Sequence, residues 1–181
     1  MAYHDKEWGR PIVDDRVHFE FLVLESAQAG LSWLTIFNRR SHYRAAFADF
    51  DPKKVAEFDE NRVQQLLANP GIIRHEKKIR AAIQNAKAFL KLQGEWGSFN
   101  KYIWSFVKNK PIQNHATSLK EVPCLSDESV ALSKDMKKRG FAFVGPKIIY
   151  SHMQATGLIN DHLVDCFCYN LCNQEAKNLK L

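Results

Sequence analysis

Lys137-Lys138-Arg139-Gly140-Phe141-Ala142-Phe143-Val144-Gly145-Pro146-Lys147 is the stretch on which the fold turns. Upstream, Ser126 is an N-cap residue type, and Asp127 and Glu128 follow where acids suit the positive end of a helix dipole. Val130, Leu132 and Met136 continue to the three cations at 137–139, which suit the negative end, and Gly140 supplies a stop. Downstream, Pro146 is preset for a first helical turn, and Ile148, Ile149, Met153 and Ala155 lead to a second stop at Gly157. The pattern predicts helix, short glycine-bounded hairpin, helix over residues 126–157. Exposed N–H groups at such a hairpin, beside Lys147 and the cluster Lys137, Lys138 and Arg139, can hold a phosphate without reading sequence. An ordinary αα-hairpin with a solvated cationic face would look similar.

Outward from this unit the grammar stays helical. Val17, Phe21, Leu22 and Leu24 mark a helix over 17–29, and Ile79, Ile83, Ala86 and Leu90 mark another over 76–92. Asp51-Pro52 and Asp59 are start signals for helices over 51–56 and 59–68. Sustained period-two alternation is missing, so a sheet would have to be hidden, and the expected fold class is all-α. Residues 108–125, with Pro111 and Pro123, are expected to be the longest irregular connection. No repeat or linker divides the chain, and residues 1–181 are expected to form one domain.

The chain has 181 residues, 26 Lys and Arg against 20 Asp and Glu, and a formal charge of +6. Residues 132–150 hold five of those cations against one acid, a concentration that fits a polyanionic partner. No apolar run approaches the roughly 20 residues needed to span a bilayer, and the first residues are too polar for a signal peptide. A soluble, cytoplasmic protein with no membrane association is expected. Three of the four cysteines, Cys166, Cys168 and Cys172, crowd together, with His162 four residues before the first. That crowding favours metal chemistry over a disulfide framework, because His162 and Cys166 one helical turn apart would form a zinc half-site.

Two further groups could carry chemistry. Glu25 lies beside Phe21, Leu22 and Leu24, at the border of an apolar helix face, and its helix ends near Gly30. A carboxylate there either hydrogen-bonds a ligand in a pocket or points to water. Tyr3, Trp8 and Trp33 are aromatics that could stack on a base or enclose a cation, or could be core.

Taken in order, several segments resemble the 3-methyladenine DNA glycosylase I family of the helix-hairpin-helix superfamily. They are Ala2-Tyr3-His4-Asp5 with Glu7-Trp8-Gly9, Leu24-Glu25 with Gln28-Ala29-Gly30-Leu31-Ser32-Trp33, and Pro70-Gly71-Ile72-Ile73-Arg74. Trp104-Ser105-Phe106-Val107, Lys137 to Phe141 with Phe143-Val144-Gly145, and Asn160-Asp161-His162 with Cys166 complete the set, which spans nearly the whole chain. The resemblance implies a monofunctional base-excision repair enzyme that flips 3-methyladenine out of alkylated duplex DNA and hydrolyses its N-glycosidic bond. It implies Glu25 as the catalytic carboxylate and Tyr3, Trp8 and Trp33 as pocket walls. Gly30 and Leu31 are implied as the turn that meets the gap in the duplex, and Lys137, Lys138, Arg139, Gly140, Gly145 and Lys147 as the backbone anchor. It also implies a structural zinc ion joining the termini, with His4, His162 and Cys166 at three of four ligand positions, no organic cofactor, and a monomer acting at the bacterial nucleoid. Family members begin about a dozen residues earlier, with a Cys-Gly-Trp segment that supplies the fourth ligand and a further tyrosine. This sequence has neither, so weaker zinc binding and a looser pocket are expected; a DNA-binding module without catalysis is the alternative. On a helix, Cys168 would point away from the ligand set.

Overall fold

A computed structural model describes residues 2–179. The helices are α1 (Ala2–Lys6), α2 (Asp15–Gln28), α3 (Trp33–Phe37), α4 (Arg40–Ala46), α5 (Pro52–Ala56), α6 (Glu60–Ala68), α7 (Glu76–Trp96), α8 (Phe99–Ser105), α9 (Asp127–Lys138), α10 (Pro146–Ala155) and α11 (Phe167–Lys177). Most of them start where a short polar side chain meets otherwise unpaired N–H groups. Asp14 caps α2, Asp51 caps α5 ahead of Pro52, and Asp59 caps α6. Ser126 and Ser129 form a reciprocal capping box at α9. At the other end of α9, Gly140 adopts φ +91° and the Phe141 amide returns to the Met136 carbonyl, as the glycine stop requires.

Helix α2 is the centre of the molecule. Its residues His18–Ala27 are buried without interruption, and it packs against α3, α4, α7, α8 and α10. A helix enclosed on all sides gathers apolar residues all round rather than along one stripe, which explains why its sequence period is weak. The shared core joins Phe19, Leu22 and Leu24 to Phe89, Phe99, Trp104, Met136, Ile149 and Met153. Two carboxylates, Glu20 and Glu25, are nevertheless buried on this helix.

The all-α expectation holds, and one short strand pair accompanies the helices. Ile112–Gln113 and Ile159–Asn160 form a parallel pair, β1 and β2, in the register Ile112 with Ile159 and Gln113 with Asn160. Two residues per strand are too few to show alternation. β1 lies inside the irregular connection between α8 and α9.

The N-terminal segment crosses the end of α10. Ile12 donates to the Thr156 carbonyl at 3.0 Å, and the Ile12 carbonyl accepts from Trp104 Nε1 at 2.9 Å. Gly157, at φ +73°, makes the crossing possible, because a Cβ there would stand 2.5 Å from the Arg10 carbonyl carbon and the Pro11 nitrogen. Beyond the crossing, α1 is fixed by Arg40, which pairs with Glu7 and with buried Glu20. Arg44 also reaches Glu20, and the Arg40 guanidinium lies over the Phe21 and Phe37 rings.

Candidate active site and DNA-facing surface

Tyr3, Trp8, Glu25 and Trp33 line one cavity of about 150 Å³, together with Gln28, Ser151 and Gln154. Three separate elements meet there: α1 brings Tyr3, the α2 to α3 segment brings Glu25 and Trp33, and α10 brings Ser151 and Gln154. The Tyr3 ring lies 5.5 Å from Trp33 and 4.8 Å from Phe37, so the aromatic wall is continuous. Glu25 is 4% exposed, and burial pushes its carboxyl up to about 8. Burial, then Glu25, then Glu7 raise the Tyr3 hydroxyl, which stays protonated as a donor. Trp33 Nε1 is buried and has no hydrogen-bond partner among the described residues.

Ser151 and Gln154 were missed by sequence reasoning. They are polar positions three apart on α10, among Ile149, Met153 and Ala155, and that interruption of an apolar helix was the available signal. Asp161 lies outside this cavity: its buried carboxylate accepts from Tyr150, Asn114 and Gln154 at 2.6–2.8 Å and faces a neighbouring groove.

Next to the cavity, α2 ends and the chain turns at Gly30, with φ +80°. Gly30 and Leu31 are exposed, Leu31 at 38%. Gln28 closes the turn by donating to the Leu31 carbonyl at 2.7 Å, and Lys78 of α7 donates to the Ala27 and Ala29 carbonyls at 2.9 and 2.7 Å.

The hairpin between α9 and α10 has its carbonyls turned inward. Gln84 donates to Gly140 O, Asn85 to Ala142 O at 3.0 Å, Ser26 to Phe143 O at 3.4 Å, and Ser133 to Val144 O at 2.6 Å. The amides of Phe143, Val144, Gly145, Lys147 and Ile148 donate to no acceptor among the described residues. Lys137, Lys138 and Lys147 are exposed around this edge. Arg139 differs: its guanidinium pairs with Asp135 and Glu95 and sits 5.3 Å from the Tyr102 ring centroid. Its charge is engaged internally, whereas the three lysines form no ion pair among the described residues.

His4, Cys166 and Cys168 each present a ligand atom, all within 4.8 Å of one another. Cys166 Sγ is 3.8 Å from His4 Nε2 and 3.7 Å from His162 Nδ1. Two sequence expectations change here. Cys166 is the N-cap of α11, with extended backbone, so His162 approaches it through a turn and not along a helix. For the same reason Cys168, in the first turn of α11, faces the cluster instead of pointing away.

The profile of the methyladenine glycosylase family matches residues 1–169. The chain belongs to the methyladenine glycosylase family. It is 51% identical over 169 residues to DNA-3-methyladenine glycosylase 1 of Escherichia coli (strain K12), covering 93% of this chain and 90% of that protein. A crystal structure of 3-methyladenine DNA glycosylase I superposes with a TM-score of 0.91 at 50% identity, covering 93% of this chain and 92% of that one. A phenylalanine-for-tyrosine variant of 3-methyladenine DNA glycosylase I, solved in complex with 3-methyladenine, superposes with a TM-score of 0.90 at 40% identity and covers 92% and 89%. These methyladenine glycosylases share the helical architecture described above, and no described helix is long and apolar enough to cross a membrane.

Proposed function

We propose that this methyladenine glycosylase releases 3-methyladenine from alkylated duplex DNA in the cavity built around Glu25, leaving an abasic site. The observation that carries this reading is a buried carboxylate among the lining residues of an aromatic-walled cavity of about 150 Å³. Methylation at N3 makes the adenine cationic and weakens its glycosidic bond, so the base needs little help to leave. A cation among aromatic faces is attracted to them, and a cation beside Glu25 favours the carboxylate over the acid. The neutral base offers neither interaction, so selectivity follows from charge. The flipped base is placed against the rings of Tyr3, Trp8 and Trp33. Glu25, once ionised, stabilises the positive charge that grows on the sugar as the bond breaks. Among the described residues no lysine lines the cavity, in keeping with hydrolysis without a Schiff-base step.

The DNA backbone is placed on the amides of Phe143, Val144, Gly145, Lys147 and Ile148 with Lys137, Lys138 and Lys147, and the Gly30-Leu31 turn against the gap left by the flipped base. Gly140 and Gly145 permit the hairpin's tight path. The whole chain, residues 1–181, acts as one glycosylase domain and as a monomer.

A structural zinc ion would sit among His4, Cys166 and Cys168, whose ligand atoms lie within 4.8 Å of one another, with His162 Nδ1 3.7 Å from Cys166 but outside that set. Zn–S near 2.3 Å and Zn–N near 2.1 Å at tetrahedral angles separate ligand atoms by about 3.6 Å, close to the spacings here. The ion would fix α1, and with it Tyr3, to the start of α11. Equimolar zinc by metal analysis, lost with His4→Ala, checks this reading; no bound zinc removes it.

The deciding experiment measures bases released from methylated duplex DNA by the parent and Glu25→Gln. Free 3-methyladenine from the parent, falling at least about tenfold in the variant, is expected. DNA binding without release would replace the glycosylase reading with that of a binding module.

A further inference from the structure

Helix α7 touches the backbone of both turns assigned to DNA, although it lines neither the cavity nor the exposed surface of those turns. Asn85, 1% exposed, grips Ala142 from both sides: its Oδ1 accepts the Ala142 N–H at 2.8 Å and its Nδ2 donates to the Ala142 carbonyl at 3.0 Å. Lys78 sits seven residues earlier and grips Ala27 and Ala29, immediately before Gly30. Seven residues are close to two helical turns, so both side chains leave the same face of α7, about 10 Å apart along its axis.

We propose that Asn85 and Lys78 are positioning residues that make α7 a strut fixing the hairpin and the Gly30-Leu31 turn at the separation a distorted duplex requires, with Ser133 of α9 bracing the hairpin beside Asn85. The inference rests on the assignment of those two turns to DNA.

Three observations support it. A peptide unit whose carbonyl is held inward must aim a neighbouring N–H the other way, so the inward bonds at Ala142 and Val144 dictate the outward amides at the hairpin edge. Phe143 carries a side chain at φ +53°, a conformation that persists only where surrounding bonds over-determine it, and Asn85, Ser26 and Ser133 supply those bonds on both sides. Lys78 lies beside a DNA-facing turn, yet its ammonium is directed back at helix-terminal carbonyls, where it satisfies acceptors that α2 leaves unpaired. Its role is therefore to hold the turn and not to meet a phosphate.

The test separates binding from base release. Asn85→Ala is expected to weaken affinity for undamaged duplex by about tenfold while base release at saturating protein stays within about twofold. Ser133→Ala, which removes one hydrogen bond from a residue of similar volume, is expected to shift affinity in the same direction by about threefold. Lys78→Met keeps the aliphatic stem and is expected to give the opposite split: single-turnover release slowed about fivefold, undamaged-duplex affinity nearly unchanged. Proportional loss of both readouts in Asn85→Ala and Lys78→Met would mean general loosening and would overturn the proposal, as would no loss in either. If Asn85→Ala does not fold, unchanged affinity in Ser133→Ala overturns it. Lys147→Ala, measured alongside, tests the underlying assignment: unchanged duplex affinity there removes the DNA-facing reading and the strut with it. Weakened affinity in Lys147→Ala with normal affinity in Asn85→Ala and Ser133→Ala removes the strut alone.

Discussion

Between Ser126 and Gly157 the chain shapes itself from neighbours: a capping box, cations and a glycine at the end of α9, and a proline at the start of α10. The cavity arises in the opposite way. Its walls come from residues 3–8, 25–33 and 151–154, and what holds α1 against α2 is a charge network through Arg40 on a fourth element. Local chemistry places the hairpin's backbone donors, and tertiary contacts place the side chains that line the cavity. The comparison predicts that the cavity fails first when packing is disturbed, and the hairpin only when its own grammar is edited.

The largest expected effect falls on the cavity side. Arg40→Met strands buried Glu20 with Arg44 alone and frees Glu7, so stability should drop by about 2–3 kcal/mol, and base release should fall further than duplex affinity. Chemical denaturation and a binding assay check this; equal losses of release and affinity would erase the distinction between the regions.

Next comes the pH dependence of stability. The folded Glu25 carboxyl titrates near 8, above its unfolded value of about 4.5. Its contribution is therefore fully present below pH 4.5 and is lost as the pH rises towards 8. Glu25→Gln should match the parent in stability near pH 4.5 and exceed it by on the order of 2 kcal/mol at pH 8. His18 and His152, buried together with their ring nitrogens 3.3 Å apart, act in the other direction. Burial lowers His18 to about 4 and His152 well below the usual range, so their contribution is present above about 6.5 and is lost as the pH falls towards 4. Thermal melts across pH 4–9 should show the alkaline limb alone flattening in Glu25→Gln.

The smallest effect belongs to the hairpin. Ser126→Ala removes one half of the capping box and should cost about 1 kcal/mol, with base release per folded molecule unchanged.

What the sequence made legible follows the same division. The helix starts at Asp51, Asp59 and Ser126 and the stops at Gly140 and Gly157 are short-range events, and the structure has them in place. Tyr3, Trp8, Glu25 and Trp33 stand out as residue types and by resemblance, but periodicity gives no reason for them to meet. Ser151, Gln154 and Lys78 were invisible because an isolated polar residue on a helix has no local signature of what it faces. A helix extended back through Cys166 puts Cys168 on the wrong face, because α11 begins one residue after Cys166.

Gly157 ties the two regions together through a clearance of one methyl group. The N-terminal segment passes so close to the end of α10 that any side chain there would have to displace the main chain at Arg10 and Pro11. That segment leads directly back to α1, so a larger residue at 157 would act as a wedge whose far end lifts Tyr3 and His4. A position that touches neither DNA nor base would thereby be as intolerant of change as the cavity itself.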